Sequence, residues 1–156
     1  MSKSTWLIFL FIITIPVFTT GQSFNPQSVV PAKLSKYKFG MSLDAFKAAN
    51  KNAVKSSSDD NSFRVEFTDS KAGSEFKSIT YYFDAENNKP LYEMIIDYPT
   101  EQARDTYVTA KLKAPNSGSE WKWTTKEGYV FKAWTFGKKL VLALALPSTE
   151  WYESKN

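Results

Sequence analysis

Glu93 and Asp97 stand four residues apart in Leu91-Tyr-Glu-Met-Ile-Ile-Asp, a stretch with strand-like alternation. On one face of a strand they would lie roughly 13 Å apart, too far for the two carboxylates of a glycosidase unless a neighbouring strand supplied another. Solvated charges on an exposed face are the simpler reading. Asp84-Ala-Glu86-Asn-Asn88 begins with the alternating oxygen ligands of a calcium loop. Its sixth place is Lys89 and its twelfth is Ile95, where such a loop needs Gly and Glu, so a polar hairpin turn is expected instead. Asp59-Asp60 reads as a solvated loop, and Tyr107 and Tyr129 as core aromatics rather than catalytic acids.

The chain has no histidine and no cysteine. That excludes a Ser-His-Asp triad, a Cys-His pair, a typical zinc site and any disulfide. Catalysis would have to use carboxylates, Lys, Tyr or Ser. No metal, cofactor or catalytic residue is expected.

The last strands carry a different signal. Leu140, Leu142, Leu144 and Leu146 alternate with Val141, Ala143 and Ala145, so both faces are apolar. Such a strand is central or covered on both sides. If Trp121 and Trp123 face the core, Lys122 faces away, and alternation sends Lys132 and Trp134 the same way. Tyr82 and Glu93 fall on that face too. The candidate partner-binding residues are therefore Tyr82, Glu93, Lys122, Lys132 and Trp134 on an open sheet face. Flat aromatics beside charges suit a protein partner or a sugar ring. The competing reading is that they pack on each other or under the N-terminal arm.

The elements that would position these residues can be read in order. Ser42 caps a short amphipathic helix near 43–52, with Asp44 in its first turn. Residues 52–61 read as a loop. Phe63, Val65 and Phe67 alternate with polar residues, then Ile79, Tyr81 and Phe83, then Tyr92, Met94, Ile96 and Tyr98, giving three strands with these residues inward. Thr100 caps a second helix, with Ala103, Tyr107 and Ala110 inward, and Pro115-Asn-Ser-Gly ends it. Strands 121–125, 129–136 and 140–146 follow, joined by short hairpin links. The expected fold is α+β: an antiparallel sheet of about six strands with two helices on one face. Ser42 and Thr100 are separated by the same distance as Phe63 and Trp121, which fits a tandem α-β-β-β duplication, although side-chain identity between the halves is poor.

The opening Phe39-Gly40-Met41-Ser42-Leu43-Asp44-Ala45-Phe46, with the helix–strand–strand–strand order, resembles the repeats of β-lactamase inhibitory proteins and of small outer-membrane assembly lipoproteins. The resemblance implies helices on one sheet face and, as in the inhibitory proteins, a concave open face that grips a partner. The chain departs from it in lacking their cysteines, including the lipid-attachment cysteine, and in having Pro99-Thr100 where the second unit would carry Gly-Met-Ser. No functional residue transfers.

Residues 1–21 have the layout of a signal peptide: Lys3, an apolar run from Trp6 to Phe18, then Thr19 and Gly21, with the cut expected after Gly21. The run is too short for a comfortable membrane span. Loss of Lys3 lowers the formal charge from +4 by one. Charges are interspersed, so neither nucleic acid nor, after cleavage, a membrane span is expected. The expected organisation is an extended arm at 22–36, one domain at 37–147 with units 37–98 and 99–147, and a loose tail at 148–156 from which Trp151 could pack back. Export without disulfides points to a bacterial envelope or secreted protein, periplasmic or extracellular. The reading that follows is a non-enzymatic binding module for a protein partner, with glycan or lipid as lesser alternatives. A carboxylate-dependent glycan hydrolase predicts two converging carboxylates, one with a raised pKa. The third alternative is a structural or self-associating envelope domain. Oligomeric state stays open.

Overall fold

The computed structural model describes residues 23–56, 63–86 and 88–152. The segment expected to be a signal peptide, Asp59-Asp60 and residues 153–156 of the tail lie outside the described residues. The chain runs α1 (Leu43–Ala49), β1 (Val54–Lys55), β2 (Arg64–Asp69), β3 (Ser78–Asp84), β4 (Leu91–Asp97), α2 (Glu101–Lys111), β5 (Trp121–Thr124), β6 (Val130–Phe136) and β7 (Lys139–Leu144). All seven strands form one antiparallel sheet in the order β1-β2-β3-β4-β7-β6-β5. The fold is α+β, as the sequence predicts. The extra strand is β1, a two-residue edge strand in the stretch read as loop; its pattern was too short to show.

Both helices start where their caps direct. Ser42 Oγ accepts from the Ala45 N–H at 3.3 Å and Thr100 Oγ1 from the Ala103 N–H at 3.1 Å. Phe46 of α1 is fully buried and packs against Tyr37, Phe67, Tyr81 and Phe83. Val108 and Leu112 from α2 and the segment after it join the same core, with Ile79, Met94, Ile96, Phe131, Leu140 and Leu142 from the sheet. Within the described part of the N-terminal arm, residues 23–36, the chain turns back on the domain. Pro26–Val29 and Ala32–Leu34 form short 3-10 turns that bury Val29, Val30 and Leu34 in that core. The Tyr107 hydroxyl donates to the Val29 carbonyl at 3.0 Å, and Phe24 stacks on Trp123 with centroids 4.3 Å apart. The apolar residues of the arm, not its prolines, decide its course.

The seam between β4 and β7 joins the α1-β2-β3-β4 run to the α2-β5-β6-β7 run through their last strands, with Glu93 opposite Ala143 and Met94 opposite Leu142. Being central, β7 is buried on both faces: Leu140 and Leu142 in the helix-side core, Val141, Ala143 and Ala145 on the other side.

Candidate functional site

The five residues singled out by alternation share the outer face. Tyr82 pairs with Glu93, Glu93 with Ala143, Ala143 with Lys132, and Lys132 with Lys122, so four of the five lie in one row across β3, β4, β7, β6 and β5. Trp134 lies two residues farther along β6, opposite Val141. Lys122 is exposed at the β5 end of the row. It stands directly opposite Lys132, and like charges in that position repel.

The centre of this face is covered by the chain's own C-terminal segment, residues 147–152. Trp151 meets Trp134 edge to face at 5.1 Å between centroids, and the Lys132 ammonium sits 5.8 Å above the Trp151 ring. The Trp151 indole N–H donates to the Glu93 carboxyl. The Tyr92 hydroxyl donates to Glu150 at 3.2 Å, and Glu150 also pairs with Arg64 at 3.7 Å. Arg64 lies over the Tyr82 ring, 4.2 Å from its centroid. At the root of the segment, Ser148 Oγ donates to Asp84 at 2.5 Å and Thr149 Oγ1 to the Leu146 carbonyl at 2.7 Å. The cover over the aromatics is thus the tail, whereas the N-terminal arm, through Phe24, lies on the opposite side against Trp123 and Phe131.

Sequence alternation places Tyr92 inward with Met94. The structure places it outward, because the β3–β4 register shifts between Tyr82 and Phe83: Tyr82 pairs with Glu93, Phe83 with Leu91, and Tyr92 is the extra residue. The bulge therefore puts Tyr92 and Glu93 side by side on the outer face, with the Tyr92 hydroxyl on the tail. Arg64, Glu150 and Trp151 are the other cluster members that alternation within β3–β7 does not reach. Their signal in the sequence is the Glu-Trp pair close behind Pro147, an aromatic too large to leave in water.

Glu93 is the electrostatic centre. It is only 3 % exposed. Burial pushes its carboxyl from the ordinary 4.5 up to about 7, opposed by the Trp151 hydrogen bond and helped by the Glu150 charge; Arg64 works against the rise and a hydrogen bond with Glu150 adds to it. Burial also raises Tyr82 and Tyr92, the latter strongly.

Glu93 and Asp97 are not brought together: Asp97 is opposite Lys139 and is 3.9 Å from Lys77. Asp84 accepts from the Glu86 N–H at 3.0 Å and serves the turn as well as Ser148. Among the described residues no group of three or more carboxylates gathers as a metal site, and no helix is long and apolar enough to cross a membrane. Surface hollows of about 440, 420 and 400 Å3 lie beside β1, beside the N-terminal arm and beside α1, and none is lined by Glu93, Glu150 or Trp134.

Compared with protein-family models, curated proteins and solved structures, the chain matches none. The function must therefore be argued from the outer face itself. That face offers an indole, Trp134, already met edge to face by Trp151, two opposed lysines and a buried acid, an arrangement suited to holding an aromatic and acidic chain segment.

Proposed function

We propose that this chain is an exported, non-enzymatic binding module that holds an acidic protein segment on the outer face of its sheet. The observation that carries the reading is the row Tyr82–Glu93–Ala143–Lys132–Lys122. Lys122 and Lys132 stand directly opposite each other across β5 and β6, a pair of cations on one face that suits an acidic segment, and Trp134, two residues along β6, offers an apolar anchor. The tail gives an example of a segment this face accepts: a carboxylate and an indole, Glu150-Trp151, seated between Arg64, Lys132 and Trp134. The signal-peptide layout of residues 1–21 supports export. The Gly40-Met41-Ser42 opening, similar to that of inhibitory proteins that grip a partner on a sheet face, points the same way.

The test is retention of envelope or secreted proteins of the producing cell on the immobilised protein. A protein held at low salt, released by added salt and lost with the Lys122→Glu/Lys132→Glu double variant supports the reading. Equal retention by the variant, with its circular dichroism unchanged, overturns it.

One observation favours a second reading, a carboxylate-dependent hydrolase: Glu93 titrates near 7 and lies within side-chain hydrogen-bonding reach of Glu150. A glycosidase keeps its carboxyls about 5–10 Å apart with the substrate between them. Here they touch, Glu150 itself belonging to the covering segment, and they lie away from the three hollows. The geometry supports binding better than turnover.

A further inference from the structure

The contacts of the segment after β7 are mostly polar. Five residues, Ser148 to Tyr152, with Pro147 before them, follow β7 and lie back across β3, β4 and β6 of the same sheet. They are fastened mainly by polar side chains: Ser148 to Asp84, Glu150 to Tyr92 and Arg64, and Trp151 to Glu93. The apolar part of the fastening is one indole edge against Trp134. A segment tied this way is held by hydrogen bonds and charge, and its hold depends on the charge state of its partners.

From this geometry we infer that residues 148–152 are a strap that closes the outer face while Glu93 carries its proton and is released from it as Glu93 ionises. A neutral Glu93 has an acceptor oxygen for the Trp151 N–H and a hydroxyl for the neighbouring Glu150 carboxylate, so both strap residues are tied to it. Loss of the proton turns the second tie into a contact between two carboxylates. The groups facing Glu93 come from every neighbouring element. Arg64 from β2 and the Trp151 N–H from the strap favour its charged form, and Glu150 from the strap opposes it; Lys132 of β6 and Glu66 of β2 each lie two strands away in the same row, one on either side. Tyr82 and Tyr92 are neutral, both being raised. Ala143 of β7 adds no charge and Lys122 lies one strand beyond Lys132.

The sign follows from linkage. In the closed state Glu93 holds its proton up to about pH 7, and in an open, hydrated state down to about its ordinary 4.5. Closure is therefore complete in its proton-linked part below 4.5 and is lost as pH rises to 7. The open-to-closed ratio grows about tenfold per unit through that window, on the order of a hundredfold in all, and is flat beyond it. That the strap competes with a partner for the face rests on the binding reading; the opening itself does not, and it is measured without a partner.

The experiment is fluorine NMR of the purified protein carrying 5-fluorotryptophan, from pH 4 to 9, with the Trp151 line identified by its loss in Trp151→Phe. The expected result is a Trp151 line that moves toward the solvent-exposed position between about pH 4.5 and 7, with iodide access rising in step. Glu93→Gln should hold the line at its closed position throughout. Glu150→Gln, a change outside the helix-side core, should bring the alkaline plateau to lower pH, because Glu150 raises Glu93 both by charge and by hydrogen bond. A wild-type line that does not move, or a Glu93→Gln line that moves as the wild type does, overturns the inference. If Glu93→Gln fails to fold, Glu150→Gln decides: an unchanged profile overturns it. A moving strap with no protein retained by the face would leave the strap standing and remove the binding reading.

Discussion

Two neighbouring rows of the sheet show how differently its faces are made. On the helix side, Tyr81, Met94, Leu142, Ala133 and Trp121 run across five strands, each 4 % exposed or less. One residue along, on the outer side, run Tyr82, Glu93, Ala143, Lys132 and Lys122. The first row is closed by α1, α2 and the arm, through aromatic and aliphatic packing that needs no particular pH. The second is closed by a single short segment, through hydrogen bonds and one ring contact. A sheet this size can be stabilised from one face, which leaves the other free to carry costly groups such as a buried acid and opposed lysines.

The sharpest way to break this contrast is to damage the helix side. Phe46→Ala removes a fully buried ring that touches four other aromatics and should cost about 3–5 kcal/mol, read as a drop in the urea midpoint. An effect below about 1 kcal/mol would mean that α1 is not what holds this face. The outer face should instead answer to pH. Glu93 has a folded-state pKa above its unfolded value, so its contribution is complete below 4.5 and is lost as pH rises through about 7. Glu93→Gln should therefore be about 2–3 kcal/mol better than wild type at pH 8, relative to their difference at pH 4, by denaturant titration at both pH values. An identical pH dependence in the two proteins would remove Glu93 from the account.

Trp151→Ala should be milder, about 1–2 kcal/mol, and its signature is local: Trp134 should become open to iodide while Trp121 stays shielded. Uniform shielding afterwards would show that the strap is not the cover. The smallest effect belongs to Tyr81, whose buried hydroxyl has no hydrogen-bond partner among the described residues. Tyr81→Phe removes an unsatisfied group and should change stability by about 0 to 1 kcal/mol in the stabilising direction. A loss beyond about 1 kcal/mol would point to a partner for that hydroxyl.

Much of this contrast is legible in the residues, because period-two alternation with one buried face fixes register strongly. Leu140 and Leu142 opposite Val141 and Ala143, and Trp121 opposite Lys122, place themselves, and so does the shared face of Tyr82, Glu93, Lys132 and Trp134. Capping chemistry does the same for Ser42 and Thr100. What alternation does not carry is where it breaks. Nothing in Leu91-Tyr92-Glu93 announces a bulge, and one extra residue reverses Tyr92. Contacts far apart in sequence are legible only in part: the size of Trp151 says that it packs back, but no local pattern says that Glu150 and Trp151 reach Tyr92 and Glu93 across 58 residues. The arm escapes for a related reason, since Val29, Val30 and Leu34 are buried without a regular period.

The sheet order also sets a timetable. β4 follows its neighbour β3 directly in sequence, but the partner on its other edge is β7, which comes only after α2, β5 and β6. Until then Met94 and Ile96 belong to a strand with one bare edge, an invitation to pair with a second chain. The lysines at 138 and 139, which lead into β7, arrive just before the residues that seal that edge. A chain cut short before residue 139 would thus leave that edge of β4 bare, and the segment that covers Glu93 would be missing with it.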